Sequence, residues 1–235
     1  MNKTTAGKIF LHDQRGIQET DWFRCYSTFC NGYFPHPHKK PFGNLCVLDE
    51  DTLAAGHTLI RDTPAATSVI LLLLVGSLQY QVPGEEAQVI TPGNFCVLLL
   101  PAGTAYAVAN PYEAAGCLIR FLRIHLDGLI NPVSPVVYPT GIEQTNCLHE
   151  QELPVNNAVF AIGAFDGRQE AVYRLKQAGS GVYVLCLQGA FEVQGRLLHA
   201  MDGLALEKEK AIELEALSNQ AIVLIVETGV WYNLG

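Results

Sequence analysis

Val69 to Gln81 reads VILLLLVGSLQYQ, and Val182 to Gln194 reads VYVLCLQGAFEVQ. Each stretch sets a continuous apolar run, a glycine and an alternating apolar–polar run in the same order. An apolar run of this length without alternation predicts a strand buried on both faces, and alternation at period two predicts a half-exposed one. The glycine between them marks a turn. Gly76 and Gly189 lie 189 − 76 = 113 positions apart, so one hairpin is written twice.

The match continues outward. TPGNFCVLLLPAG around Gly93 answers to AMDGLALEKEKAIELEA around Gly203, and the closing GCLIRFLRI answers to AIVLIVE. Short β-rich runs bounded by Gly and Pro, such as NLCVL, AQVI and AYAVA, predict an all-β sandwich or small barrel. The charged stretch Glu207 to Ala216 reads as strand, turn, strand rather than helix, because AIELEAL alternates apolar and acidic residues. The expectation is two tandem copies of one β-fold, a domain over 1–130 and another over 131–235. LDGLINPVSPVVYPTGIEQTN, with prolines at 132, 135 and 139, is expected to be an irregular connector.

Composition narrows the function classes. Of 235 residues 49% are hydrophobic and 16% charged, with 21 glycines and 12 prolines, as in a folded, turn-rich protein. A net charge of -8 without a basic cluster opposes direct binding of nucleic acid. The apolar run Val69 to Val75 is too short to cross a membrane, and the first residues lack the apolar stretch of a signal peptide. A cytoplasmic location is expected, with no membrane partner. Seven cysteines without a C-x-x-C spacing predict free thiols rather than a disulfide framework.

The first copy resembles a cupin, a small jelly-roll barrel: Gly56 and Gly76 bracket the first half of the cupin pattern, and Pro101-Ala102-Gly103 followed by Asn110 fills the second. NLCVLDEDTLAAG (Asn44 to Gly56), IRFLRIHL (Ile119 to Leu126), the AGT at Ala102 to Thr104, NPY at Asn110 to Tyr112 and the GAFEVQG hairpin resemble the pirin-like bicupins over nearly the whole chain. That resemblance implies two cupin domains. It also implies, for the metal-bearing type, iron held in the N-terminal barrel by an H-x-H pair, a further His and a Glu.

At those places the chain carries other residues. Counted back from Gly76, the H-x-H positions fall on Asp62 and Pro64; counted on from AGT, the later positions fall on Val108 and Asn110. The general cupin spacing instead puts Ser68 at the Glu position and Tyr106 at the late His. Pro and Val have no donor, and Ser, Asn and Tyr are poor ligands beside His and carboxylate. Shifting Asp62, Pro64 and Ser68 by 113 gives Leu175, Gln177 and Gly181 in the second copy, again without a ligand set. The expectation is no metal and no other cofactor. His36 and His38, in FPHPHKKPFG, imitate an H-P-H pair but lie upstream of the barrel pattern, in a proline-rich loop.

Asp62, Ser68, Tyr106 and Asn110 are instead expected on or near the inner wall of the first barrel, as polar groups that a small ligand could satisfy. His57 and His125 are expected to be surface or internally satisfied residues, and His12, His149 and His199 stand alone. Cys25 and Cys30, near Arg24, are weaker candidates for redox chemistry, since a positive neighbour lowers a thiol pKa. Two functions follow: a non-catalytic binding or regulatory protein acting on a small molecule or protein partner, as a monomer or weak homo-oligomer, or a metal-dependent dioxygenase of the quercetinase type. Metal-independent isomerase or epimerase chemistry, with Asp62 as its one acidic candidate, ranks behind both.

Overall fold

The first apolar run forms a nine-residue strand, Thr67–Val75, and its repeat forms another of nine residues, Ser180–Gln188. In chain order the computed structural model, which describes residues 7–128, 135–155 and 158–229, contains β1 (Gly7–Phe10), β2 (Gly16–Glu19), β3 (Phe23–Ser27), β4 (Leu45–Leu53), β5 (Thr58–Thr63), β6 (Thr67–Val75), β7 (Leu78–Gln81), β8 (Gln88–Ile90), β9 (Asn94–Leu100), β10 (Thr104–Ala109), β11 (Ile119–Asp127) and β12 (Val136–Pro139). There follow β13 (His149–Glu152), β14 (Val159–Phe165), β15 (Glu170–Arg174), β16 (Ser180–Gln188), β17 (Ala190–Val193), β18 (Arg196–His199), β19 (Gly203–Glu207), β20 (Ala211–Ala216) and β21 (Ala221–Gly229).

Two units result, each a pair of antiparallel sheets. The first stacks a seven-stranded sheet, β12-β9-β6-β11-β4-β3-β2, on a four-stranded one, β5-β10-β7-β8. The second stacks β1-β19-β16-β21-β14-β13 on β15-β20-β17-β18. The order β9-β6-β11-β4 is repeated by β19-β16-β21-β14, and the four-stranded sheets correspond strand for strand. The repeat read in the sequence is thus a repeat of topology: two cupin barrels. Gly76 and Gly189 hold φ of 84 and 77°, and a Cβ there would stand 2.8 Å from Ile119 Cγ2 and 2.3 Å from Ser218 Oγ. Only glycine suits both turns.

Each core lies between its two sheets. Val69, Leu71 and Leu73 of β6 pack with Leu98, Phe121, Leu59, Tyr80 and Val108, while Val182, Val184 and Cys186 of β16 pack with Ile225, Leu204, Phe191 and Leu214. Ile70 and Leu72, pointing the other way, are buried too, which is why the run does not alternate. Truncating such a side chain to Ala costs about 2–5 kcal/mol.

The units do not follow the chain in two simple halves. Residues 15–41 and 45–139 form the first, and residues 7–14, 42–44 and 140–229 the second; Lys8 pairs with Ala205 along the edge of the second unit's larger sheet. The division between residues 130 and 131 lies outside the described residues. The connector is not wholly irregular: Val136–Pro139 pairs with β9, and its proline sits at the end of an edge strand, where a missing donor costs no ladder bond. The charged stretch near residue 210 forms β19 and β20, as its alternation predicted.

Candidate binding site in the first barrel

Period two decides which side chains reach the first barrel's interior. On β5 the buried or half-buried positions are Leu59, Arg61 and Thr63, while Thr58, Ile60 and Asp62 are exposed. Register with β10 pairs Leu59 with Val108, Arg61 with Tyr106 and Thr63 with Thr104. Leu59, Val108 and Tyr106 belong to the core, so Arg61 and Thr63 face it. Thr63 Oγ1 is committed to the carbonyls of Pro101 and Thr104, at 3.0 and 2.9 Å.

Across the barrel, β11 places Phe121, Arg123 and His125 on the inner face, and β4 pairs Asp49 with Arg123 and Asp51 with Phe121. Arg123 Nη2 donates to Asp49 Oδ2 at 2.6 Å and Nε to Asp51 Oδ2 at 2.8 Å. All three side chains are buried. Burial pushes the Arg123 pKa down, but the two carboxylates outweigh it and hold the guanidinium charged; Asp49 is raised, because its own desolvation exceeds the attraction of Arg123. Asp51 Oδ1 has no hydrogen-bond partner.

Tyr106 and His125 join the two sheets through Tyr106 Oη and His125 Nε2, 3.2 Å apart. Burial first, then the charges of Arg123 and Arg61, lower the His125 pKa from 6.5 to about 3. The imidazole is therefore neutral at physiological pH. Burial likewise raises the Tyr106 phenol to about 12.

A cavity of about 200 Å³ opens beside this cluster, lined by Gly16, Ile17, Gln18, Cys25, Ser27, Asn31, Gly32, Tyr33, Phe34, Val47, Asp49, Arg61 and Arg123. The loop at its rim is fixed by Asn31, whose Nδ2 donates to Ser27 Oγ and whose Oδ1 accepts from the amides of Tyr33 and Phe34. A Cβ on Gly16 would fall 2.2 Å from Phe34 Cγ, so glycine there lets the aromatic ring seat.

The candidates read from sequence divide. Tyr106 is on the inner wall. Asp62 is corrected: it faces outward, one position from the inward Arg61. Ser68 is buried, but it pairs with Leu126 and Leu99 on the sheet's other face, one step from the inward Val69. Asn110 is consumed by backbone: Nδ2 donates to Leu53 O and Cys117 O, and Oδ1 accepts from Tyr112 N.

Cys25 does face the barrel, but burial and then Asp51 and Asp49 push its thiol pKa up, away from the reactive thiolate. Arg24 points to the opposite face, where its Nε donates to Glu19 at 2.7 Å. Cys30 is half-buried and lies outside the cavity lining. His36 and His38 stay on the loop, ring centroids 6.0 Å apart; exposed His57 stacks on Trp22. Sequence reasoning missed Arg61, Arg123, Asp49 and Asp51, while His125 takes the internally satisfied form of its expectation. The signal available was the alternate acids of LDED opposite the alternate bases of RFLRIH.

In the second barrel Leu175 packs on the core, and a carboxylate sits deep in the wall. Glu227 accepts from Tyr173 Oη and Ser180 Oγ, both at 2.6 Å, and from the amides of Lys176 and Gln177. It is a fully satisfied structural group.

Residues 150–227 match the family described as the quercetinase C-terminal cupin domain. A curated protein of Pasteurella multocida (strain Pm70), named "Putative quercetin 2,3-dioxygenase PM1685", is 22% identical over 222 residues, covering 86% of this chain and 91% of the relative. The chain is similar to the pirin-like cupins. Among solved structures, YhhW of Escherichia coli shares its fold with a TM-score of 0.84 at 17% identity, covering 97% of this chain and all of that one. The bacterial pirin YhhW in complex with nickel(II) gives 0.82 at 18%, covering 96% and 100%. YhaK of Escherichia coli gives 0.71 at 18%, covering 88% and 94%.

The metal that the pirin-like family implies can be tested against this wall. His125 Nε2 is engaged by Tyr106, both aspartates hold Arg123, and Cys25 is kept a thiol. Among the described residues no three His, Cys, Asp or Glu side chains are placed so that they could hold a metal ion. Two guanidinium groups occupy the same interior and would repel a divalent ion at low dielectric. The donor set does not fit the metal.

Proposed function

We propose that this pirin-like bicupin works without a barrel metal, as a non-catalytic binding protein that takes a small molecule into its first barrel. One observation carries the reading. The inward position that an H-x-H ligand would need on β5 holds Arg61, whose Nε is buried without a hydrogen-bond partner, at the edge of a preformed cavity. A fixed cation there replaces Lewis-acid chemistry by charge recognition. We place the protein in the cytoplasm, a compartment consistent with its seven free cysteines.

The alternative is a dioxygenase of the quercetinase type, favoured by the name of the Pasteurella relative and by the nickel complex of YhhW. Metal analysis of protein purified without a histidine tag separates the two, together with oxygen uptake in the presence of quercetin. The expected result is metal far below one equivalent and uptake no faster than in buffer. Stoichiometric iron, nickel or copper with quercetin-dependent uptake would overturn the proposal.

A further inference from the structure

Arg61 stands out among the charges of the first barrel. Arg123 is matched by two carboxylates and Arg15 by Glu50 at 2.8 Å. Arg61 makes no salt bridge within the described residues; its guanidinium carbon lies 5.3 Å from the centroid of Phe23, and its Nε has no acceptor. A guanidinium is charged at any physiological pH and presents a planar fork of donors suited to a carboxylate. The Phe23 ring face beneath the guanidinium makes a cation–π contact with it, and burial of Nε makes an acceptor there worth more than it would be in water.

The cavity sets the size and charge of the acceptor. A cavity of about 150 Å³ holds benzene, so the 200 Å³ here admits a ring of that size carrying one small polar group. Its sides are apolar at Ile17, Val47 and Phe34, with the acidic Asp49 also in the wall. That carboxylate repels a dianion more strongly than a monoanion, and a monoanion suffices to give the Arg61 Nε the acceptor it lacks. Phosphate, at about −1.5 to −2 near neutral pH by analogy with its esters, fits less well.

Resting on the reading of a metal-free binding barrel, we propose that the cavity beside Arg61 is a site for a small monocarboxylic acid of roughly benzoate size, gripped by the Arg61 guanidinium. Benzoate, butyrate, benzamide and inorganic phosphate are the probes, titrated calorimetrically into the full chain with and without EDTA, against Arg61→Gln, Arg61→Lys and the outward control Asp62→Ala.

The expected result is saturable benzoate binding in the millimolar range or tighter, unchanged by EDTA and by Asp62→Ala and weakened as salt rises. Benzamide and phosphate should bind at least tenfold more weakly. Arg61→Gln, shown folded by circular dichroism, should lose at least tenfold in affinity, and Arg61→Lys should lose less. Failure of both carboxylates to bind, equal binding of benzamide or phosphate, or undiminished affinity in folded Arg61→Gln would overturn the carboxylate site while leaving the metal-free reading in place. Benzoate binding abolished by EDTA and restored by nickel would instead overturn the metal-free reading.

Discussion

Replacing His125 with Gln should remove a large part of this protein's acid sensitivity. The imidazole is buried against Tyr106 with Arg123 and Arg61 nearby, and its pKa falls from 6.5 to about 3 on folding. Its folded pKa is depressed, so the neutral group supports the fold fully above pH 6.5. Below that value the unfolded chain gains a proton that the folded one refuses, and the support is lost progressively down to about pH 3. One proton per molecule corresponds to about 1.4 kcal/mol per pH unit, which between pH 7.5 and 5 amounts to about 2 kcal/mol. Urea unfolding followed by circular dichroism at both pH values, for wild type and His125→Gln, isolates this amount as a difference of differences. The amide of Gln can still reach Tyr106 Oη, so loss of the contact itself affects both pH values alike. Parallel pH dependence in the two proteins, within about 0.5 kcal/mol, would refute the buried neutral imidazole.

Asp49→Ala should cost about 3–5 kcal/mol by stranding part of Arg123, whereas the volume-matched triple exchange Asp49→Leu, Asp51→Leu, Arg123→Met should be neutral or stabilising, both read from urea midpoints. Asn110→Ala should cost about 2–3 kcal/mol, since it leaves the Leu53 and Cys117 carbonyls and the Tyr112 amide without their partner, while Asp62→Ala should stay within about 0.5 kcal/mol. Brief alkylation at pH 7.5 followed by peptide mass spectrometry should label exposed Cys117 first and leave Cys25 unmodified; early labelling of Cys25 would contradict its burial.

The fold was legible because the repeat is written in apolar periodicity and in a glycine that no other residue can replace. The site was legible only to within one residue. Counting back from Gly76 reaches Asp62, but the bend at Pro64–Ala66 between β5 and β6 shifts the count, and on a strand a shift of one reverses the face. Arg61 was thereby overlooked beside it. Ser68 misled for a different reason: β6 is buried on both faces, so its sequence carries no alternation from which to assign a side. His125 sits in a strand of the same kind. Asp49 and Asp51 look like surface charges until the register of β4 against β11 brings Arg123 between them.

The second barrel shows that the fold does not need these charges. Leu71 pairs with Arg123 in the first unit, and its repeat Val184 pairs with Ile225 in the second. Asp49 lies opposite Arg123 where Ala161 lies opposite Ile225, and Asp51 opposite Phe121 where Gly163 lies opposite Val223. Val69 pairs with His125 and its repeat Val182 with Glu227, the carboxylate that is sealed by four donors. The same topology thus fills one interior with Ile225, Ala161 and Gly163 and the other with an ion triad. Buried ion pairs rarely improve on apolar packing, so stability alone does not account for the triad. What it does supply is a pair of carboxylates that engage Arg123 Nε and Nη2, leaving Arg61 at the cavity without a salt bridge among the described residues.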